Sequence, residues 1–365
     1  MSRALTLGAG IAIALLLGSG PAGAQDAIVD ASADADPEQG VAWFGEAWVG
    51  YDHVEGLPGG RADFDRWRSR LRIGGSWMPA PAWEVTGSLR LALGSDHNRD
   101  NRRNNDNERS DGIGLDRLFV RWHAGEATSV LFGKAPLAFE LSPMVWDPDL
   151  RPAGATIEHS IALGDYDRLQ LGAGWLAGQA LYGDESRIAA AQLAWRWHEG
   201  APTSAAILVS YLGFSQLDEL ARQGLARTNT IVAGRLAEDY RLLDLQLVGR
   251  NGTAEWPIEA RLDVVHNLGA DERRRGVRGS IVAGDAMRAR AWEFGYAYQD
   301  IERDAVMAAF NSDDWWFHSA THGHMLWAGY GFDDTWSLRA SGFHERRDGL
   351  VDYTDRLRVD LFARW

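Results

Sequence analysis

The sequence predicts an all-β protein: a transmembrane, antiparallel, up-and-down β-barrel of about sixteen strands with one inward-folded constriction loop. Three observations carry that prediction. From residue 41 onward the chain is a series of segments, each roughly 8–15 residues long, in which apolar and polar side chains alternate. Tight Gly/Pro/Asp turns alternate with long polar loops. Aromatic residues, 17 Trp among them, run along the whole chain and fall near expected strand ends, as membrane-interface girdles require.

The closing segment shows the alternation best. Leu357, Val359, Leu361, Ala363 and Trp365 share one face; Arg356, Arg358, Asp360, Phe362 and Arg364 share the other. A soluble sheet could also use such a strand. The ending resembles the last strand of bacterial outer-membrane barrels, whose terminal aromatic is read by the barrel-assembly machinery. Trp365 is therefore the expected assembly signal.

Residues 1–24 read as a secretory signal peptide: Arg3, an apolar core over 11–17, then Pro21 and the small-residue run Ala22-Gly23-Ala24. Residues 25–40 are small, acidic and aperiodic, as in a flexible periplasmic leader, and 41–365 is the barrel domain. No later stretch approaches ~20 consecutive apolar residues. With no cysteine, an exported chain has neither disulfides nor thiolate metal sites. Mean hydropathy is slightly negative, as when a polar lumen and loops offset a lipid-facing band. Net charge is −14, or −15 once Arg3 leaves with the signal, which argues against a nucleic-acid partner. Lys134 is the only lysine against 36 arginines, a ratio that a GC-rich genome mostly explains.

Strands are expected near 41–53, 63–77, 82–95, 113–124, 128–135, 154–162, 167–178, 187–198, 203–214, 238–250, 257–268, 274–284, 289–300, 319–332, 335–345 and 355–365. The segment 230–236 could form a further strand. Counting it would put the polar loop 301–318 on the short-turn side, so it is assigned to an external loop. Connections at 78–81, 124–127, 164–167, 199–203, 284–288 and 333–335 are tight and periplasmic; those at 96–112, 136–153, 215–238 and 301–318 are long and outward.

The second strand carries the clearest chemical signal. Arg66, Arg68, Arg70 and Arg72 alternate with Trp67, Ser69, Leu71 and Ile73, so the arginines form a ladder on one face. Guanidinium stays charged and is costly against lipid, so that face looks into water. Arg90, Arg117 and Arg121 continue the inward set. Two readings stand: a structural ladder cross-paired with acids on neighbouring strands, or an electropositive pore wall that concentrates anions.

The segment 132–158 breaks the alternation with prolines and an Asp-Pro step, and it is too apolar to lie fully solvated. Folded inward, it would narrow the lumen with Trp146 in the constriction loop and Glu140, Asp147 and Asp149 facing the ladder, giving a transverse field.

Gly133-Lys134, the run Val145-Trp146-Asp147-Pro148-Asp149-Leu150 and then Pro152-Ala153-Gly154 resemble the GK … WD-x-D-L-x-P-x-G stretch of a family of bacterial outer-membrane porins. Residues 257–267, opening on Pro257 and ending on Asn267, resemble a strand of that family; 276–298 resembles its Gly-rich strand pair and 311–314 its acidic loop. The likeness covers most of 41–365 and implies a passive diffusion channel. The chain departs from the family in lacking a long helical N-terminal region.

His318, His322 and His324 cluster in sequence. Leu326, Ala328 and Tyr330 continue the face of the latter two toward lipid, so rim histidines are preferred over metal ligands. Asp313-Asp314 and Asp271-Glu272 read as solvated or cation-bridged surface. No nucleophile motif, phosphate loop or zinc-protease motif is present, so no enzyme, cofactor or resident metal is expected. The expected partners are outer-membrane lipid and lipopolysaccharide, the assembly machinery and small hydrophilic solutes, with a homotrimer as a candidate assembly. A diffusion porin leads; a channel dedicated to one substrate class, such as an exporter of anionic polysaccharide, is the alternative.

Overall fold

The computed structural model describes residues 40–94, 112–253 and 255–365; the expected signal peptide and leader, and nearly all of the loop 96–112, lie outside them. The strands are β1 (Val41–Glu55), β2 (Phe64–Ala80), β3 (Trp83–Gly94), β4 (Gly112–His123), β5 (Thr128–Lys134) and β6 (Ala153–Ala162). They continue with β7 (Arg168–Ala177), β8 (Arg187–Trp197), β9 (Ser204–Ser215), β10 (Ile231–Val232), β11 (Arg235–Leu236) and β12 (Arg241–Gly252). The last are β13 (Pro257–Asn267), β14 (Arg275–Gly284), β15 (Ala291–Ile301), β16 (Thr321–Gly331), β17 (Trp336–Arg347) and β18 (Thr354–Arg364). All but β10 and β11 form one closed antiparallel barrel of sixteen strands, each next to its sequence neighbours, with β1 against β18. The pair β10–β11 is a small separate ribbon inside the loop 216–240, so the segment 230–236 stays out of the wall.

Alternation builds the wall. On β12, Leu242, Asp244, Gln246 and Val248 are buried inward while Leu243, Leu245 and Leu247 are exposed outward. A wall whose outer face is Leu, Ile, Val and Trp needs hydrocarbon, not water, as its medium. Trp43, Trp77, Trp83, Trp122 and Trp195 are all exposed and lie at the short-turn end, where they form an interfacial girdle. Closure is made at the seam. Gly45 and Trp365 exchange backbone hydrogen bonds of 2.9 and 3.1 Å, and the Trp365 ring covers Gly45 so closely that a Cβ there would sit 2.3 Å from it.

Two corrections concern the connections. The loop 301–318, expected outside and solvated, lies inside the mouth of the barrel: Ala305 to Phe310 are completely buried. His318 leaves the rim with it, buried with Nδ1 2.7 Å from Asn311 Oδ1, while His322 and His324 stay on the outward side of β16. The reason is apolarity. The run Ala305-Val306-Met307-Ala308-Ala309-Phe310 has no charge to hold it in water.

Candidate functional site

The register of β1 against β2 sets the arginine ladder opposite acids: Glu46 faces Arg72 and Asp52 faces Arg66. Asp52 Oδ2 lies 2.9 Å from Arg66 and 3.1 Å from Arg68, and its other oxygen is 2.7 Å from Arg356 on β18. Glu46 accepts from Arg70 at 2.9 Å and Arg72 at 3.1 Å, and lies 3.7 Å from Arg364. Asp116 meets Arg72 at 3.2 Å and Arg117 at 3.4 Å. The cross-paired reading of the ladder thus holds for its hydrogen bonds. Among the described residues, Arg66, Arg68, Arg70, Arg72, Arg117, Arg356 and Arg364 share Glu46, Asp52, Asp116 and Asp149 through these ion pairs.

Asp116 is inward because β4 bulges. The β3–β4 pairing slips at Ser88/Leu89, so Asp116 is an extra residue, and both it and Arg117 turn toward the lumen. Arg117 lies over the Phe44 ring, 5.8 Å from its centroid. Arg121 pairs with Glu84 at 3.1 Å, and Arg90 stands opposite Arg72 on β3. The bulge was legible as a break in period, since Leu115 and Leu118 are three apart where the pattern calls for two.

The loop 135–152 carries two carboxylates to different walls. Asp149 lies 2.7 Å from Arg70 and 2.9 Å from Arg72 on β2. Glu140 lies 2.8 Å from Arg196 on β8 and 2.7 Å from Arg261 on β13. Burial alone would raise both carboxyls. Arg70, Arg72 and Arg151 hold Asp149 well below the usual carboxylate range, and Arg261 and Arg196 hold Glu140 down. Asp147 serves the loop itself: its Oδ1 accepts the Asp149 N–H at 2.8 Å, fixing the Asp-Pro turn. Trp146 is 2% exposed and stacks on Phe310 at 5.7 Å, so it sits in an apolar core away from the ladder. Phe139 lies over Gly172, where a Cβ would come within 2.4 Å of its ring.

Sequence spacing gave the arginines but not their acids. Glu46 and Asp52 are isolated among apolar neighbours, and only the β1–β2 register aligns them. Arg196 and Arg261 were missed for a similar reason, each being a single cation on its strand face whose partner Glu140 arrives from a loop. Asp314, expected at a solvated surface, instead lies 2.6 Å from Arg358. Burial opposes its charge, but Arg358, Arg339 and Arg356 hold its carboxyl below the usual range.

A closed sixteen-strand barrel with an apolar outside and an ion-paired inside defines the class: a β-barrel of the bacterial outer membrane. Solved structures narrow it. The chain is similar to the high-pH structure of OprB from Pseudomonas putida, with TM-score 0.59 and 11% identity over 89% of this chain and 94% of that one. It is similar also to OmpF of Salmonella typhi in complex with daunomycin (TM-score 0.54, 12% identity, 89% and 97% covered). An anion-selective porin from Comamonas acidovorans matches equally (TM-score 0.54, 12% identity, 89% and 99% covered). No protein-family model and no curated protein matches the chain. At these identities the likeness is one of fold, and the fold is the porin fold.

Proposed function

We propose that the chain forms an outer-membrane channel for passive diffusion of small hydrophilic solutes, with a preference for anions. The observation that supports this reading is the ladder of Arg66, Arg68, Arg70 and Arg72 on the inward face of β2, with Arg117, Arg356 and Arg364 on the strands beside it. The loop 135–152 acts in it as the constriction, with Asp149 against the ladder on one wall and Glu140 against Arg196 and Arg261 on the other. A low-dielectric wall focuses the field of nearby charges, so the guanidiniums of this wall act most strongly on passing ions. The chain's net charge of −14 acts little there, since screening limits exposed charges to about 8 Å at physiological salt.

Reversal potentials under a salt gradient in planar bilayers test the reading. The wild type is expected to favour anions. Arg68→Ala combined with Arg70→Ala removes two positive charges and leaves Asp52, Glu46 and Asp149 less compensated, so the preference should weaken or reverse. Equal reversal potentials for the two proteins would show the ladder to be structural only. Swelling of liposomes in solutes of graded size separates a general pore from one dedicated to a single solute class.

A further inference from the structure

A sixteen-strand wall encloses an aqueous channel when its loops stay outside. Here the segment 302–320, between β15 and β16, lies across the mouth. Its Phe310 packs on Phe214 of β9 at 5.1 Å, and its Trp316 packs on Phe64 of β2 at 5.5 Å. Going around the barrel, β9 and β2 are seven strands apart in sixteen, so the segment reaches nearly opposite walls. Below it, at the turn end, a cavity of ≈ 490 Å³ runs up past Arg250 and Arg278 as far as Pro143. Pro143 is where the segment begins to fill the space, since its carbonyl accepts the Ser312 N–H at 2.9 Å.

The wall is built to receive this segment. Inward side chains toward the loop end are apolar: Ile188 on β8, Leu212 on β9, Leu242 on β12, Val265 on β13 and Ile301 on β15. A water-filled lumen would have polar residues there. They enclose one continuous core with Met144, Trp146 and Phe310. Specific hydrogen bonds fix the backbone. Asn229 donates to the carbonyls of Arg303 and Val306 and accepts from Ala308, each at 2.9 Å. Tyr182 donates to the Ala309 carbonyl, and the Asp147 N–H donates to that of Phe310 at 2.7 Å. At the far end Glu345, fully buried on β17, accepts the successive N–H groups of Trp316 and Phe317 at 2.7 and 3.0 Å.

We propose that 302–320 is a lid closing the outer mouth of the barrel, with Glu345 as its latch, and that solutes pass only when it is displaced. The proposal rests on the channel reading above and adds regulation to it: the protein is closed at rest rather than a standing sieve. Successive N–H groups captured by the two oxygens of one buried carboxyl group make a clasp, and alanine there leaves both donors without an acceptor.

Single-channel recording in planar bilayers tests it with three proteins. These are the wild type, Glu345→Ala, and a variant in which 304–318 is replaced by a short Gly/Ser linker. The linker is feasible because Ile301 and Thr321 are paired neighbours at the ends of β15 and β16. Retention of heat-modifiable mobility on unboiled gels shows that each barrel is folded. The wild type is expected to open rarely. Glu345→Ala should raise the open fraction about tenfold or more, and the linker variant should stay open. Wild-type channels as continuously open as the linker variant would overturn the lid. An open linker variant beside a Glu345→Ala protein that behaves as wild type would overturn the latch. Folded barrels that conduct in none of the three forms would sink the channel reading itself.

Discussion

Two of the loops packed into this barrel, 135–152 and 302–320, share one apolar core but meet the wall by different physics. The loop 135–152 buries Met144, Val145 and Trp146 in that core but also reaches the wall through charge: Asp149 ends on Arg70 and Arg72, Glu140 on Arg196 and Arg261. The loop 302–320 is divided. Its first half, 305–310, is held by an apolar core and neutral hydrogen bonds; its second half by the Glu345 clasp and the Asp314–Arg358 pair. One lumen thus contains two media. Where inward side chains are arginines and acids, a loop is positioned by ion pairs and water has reason to stay. Where they are Leu, Ile and Phe, a loop is positioned by burial and water is excluded.

The largest effect is expected of Phe310→Ala. Phe310 is fully buried against Trp146, Tyr182 and Phe214. Its truncation should cost about 3–5 kcal/mol, chiefly in the lid, since the strand ladder is untouched. Chymotrypsin cleavage at Trp315 to Phe317 in the folded barrel measures this directly. Cleavage as slow as in the wild type would mean that the core does not hold the lid.

Asp149→Asn probes the other medium. Arg70 and Arg72 keep Glu46 but lose one of their carboxylates at a site where their side chains are 10% and 3% exposed. Breaking such a pair costs roughly 3 kcal/mol. The temperature at which unboiled protein changes mobility should fall, while chymotrypsin resistance of the lid is kept. A variant that loses the lid's protection instead would show that the two loops are one unit.

How much of this was legible follows the same division. The wall was readable because alternation is a local property: all sixteen barrel strands lie where the period places them, with ends displaced by a few residues. That 135–152 is a loop and not strand was readable because prolines broke an apolar stretch. The lid was not. Asp313-Asp314 and His318 gave 301–318 a solvated look, although Ala305 to Phe310 beside them is as apolar as any strand. The better signal lay in the strands, in apolar inward residues such as Leu212, Phe214 and Leu242 at positions that a water-filled lumen would make polar. Ion-pair partners were out of reach, because Asp52 meets Arg356 across 304 residues of sequence and only barrel closure joins them.

Deleting Trp365 is a smaller perturbation that acts on neither loop. It removes the two backbone hydrogen bonds to Gly45 at the seam and uncovers that glycine, a loss of about 2 kcal/mol at ~1 kcal/mol per bond. Fully folded barrel should still melt near the wild-type temperature. If Trp365 is also the residue that the assembly machinery reads, the folded fraction in the outer membrane should drop far more than the melting temperature does. Equal outer-membrane levels of truncated and full-length barrel would make the residue a seam element alone.

The smallest effect expected is that of pH, and its sign separates the two media once more. Asp149, Glu140 and Asp314 are all desolvated, yet their arginine partners lower their carboxyls below the ordinary value. A carboxyl depressed in the folded state contributes stability that is complete above its unfolded value, near about 4, and is lost as pH falls through the lower folded value. Anchoring of 135–152 through Asp149 and Glu140 should therefore be flat between about pH 5 and 8 and weaken only in stronger acid. The apolar half of the lid carries no titrating group between Ala305 and Phe310 and should ignore pH throughout. Mobility shifts of unboiled protein across a pH series report the first. Lid proteolysis after brief acid exposure and return to neutral pH reports the second. A steep loss of heat resistance between about pH 8 and 6 would contradict the assignment, because no carboxylate held low by arginine titrates there.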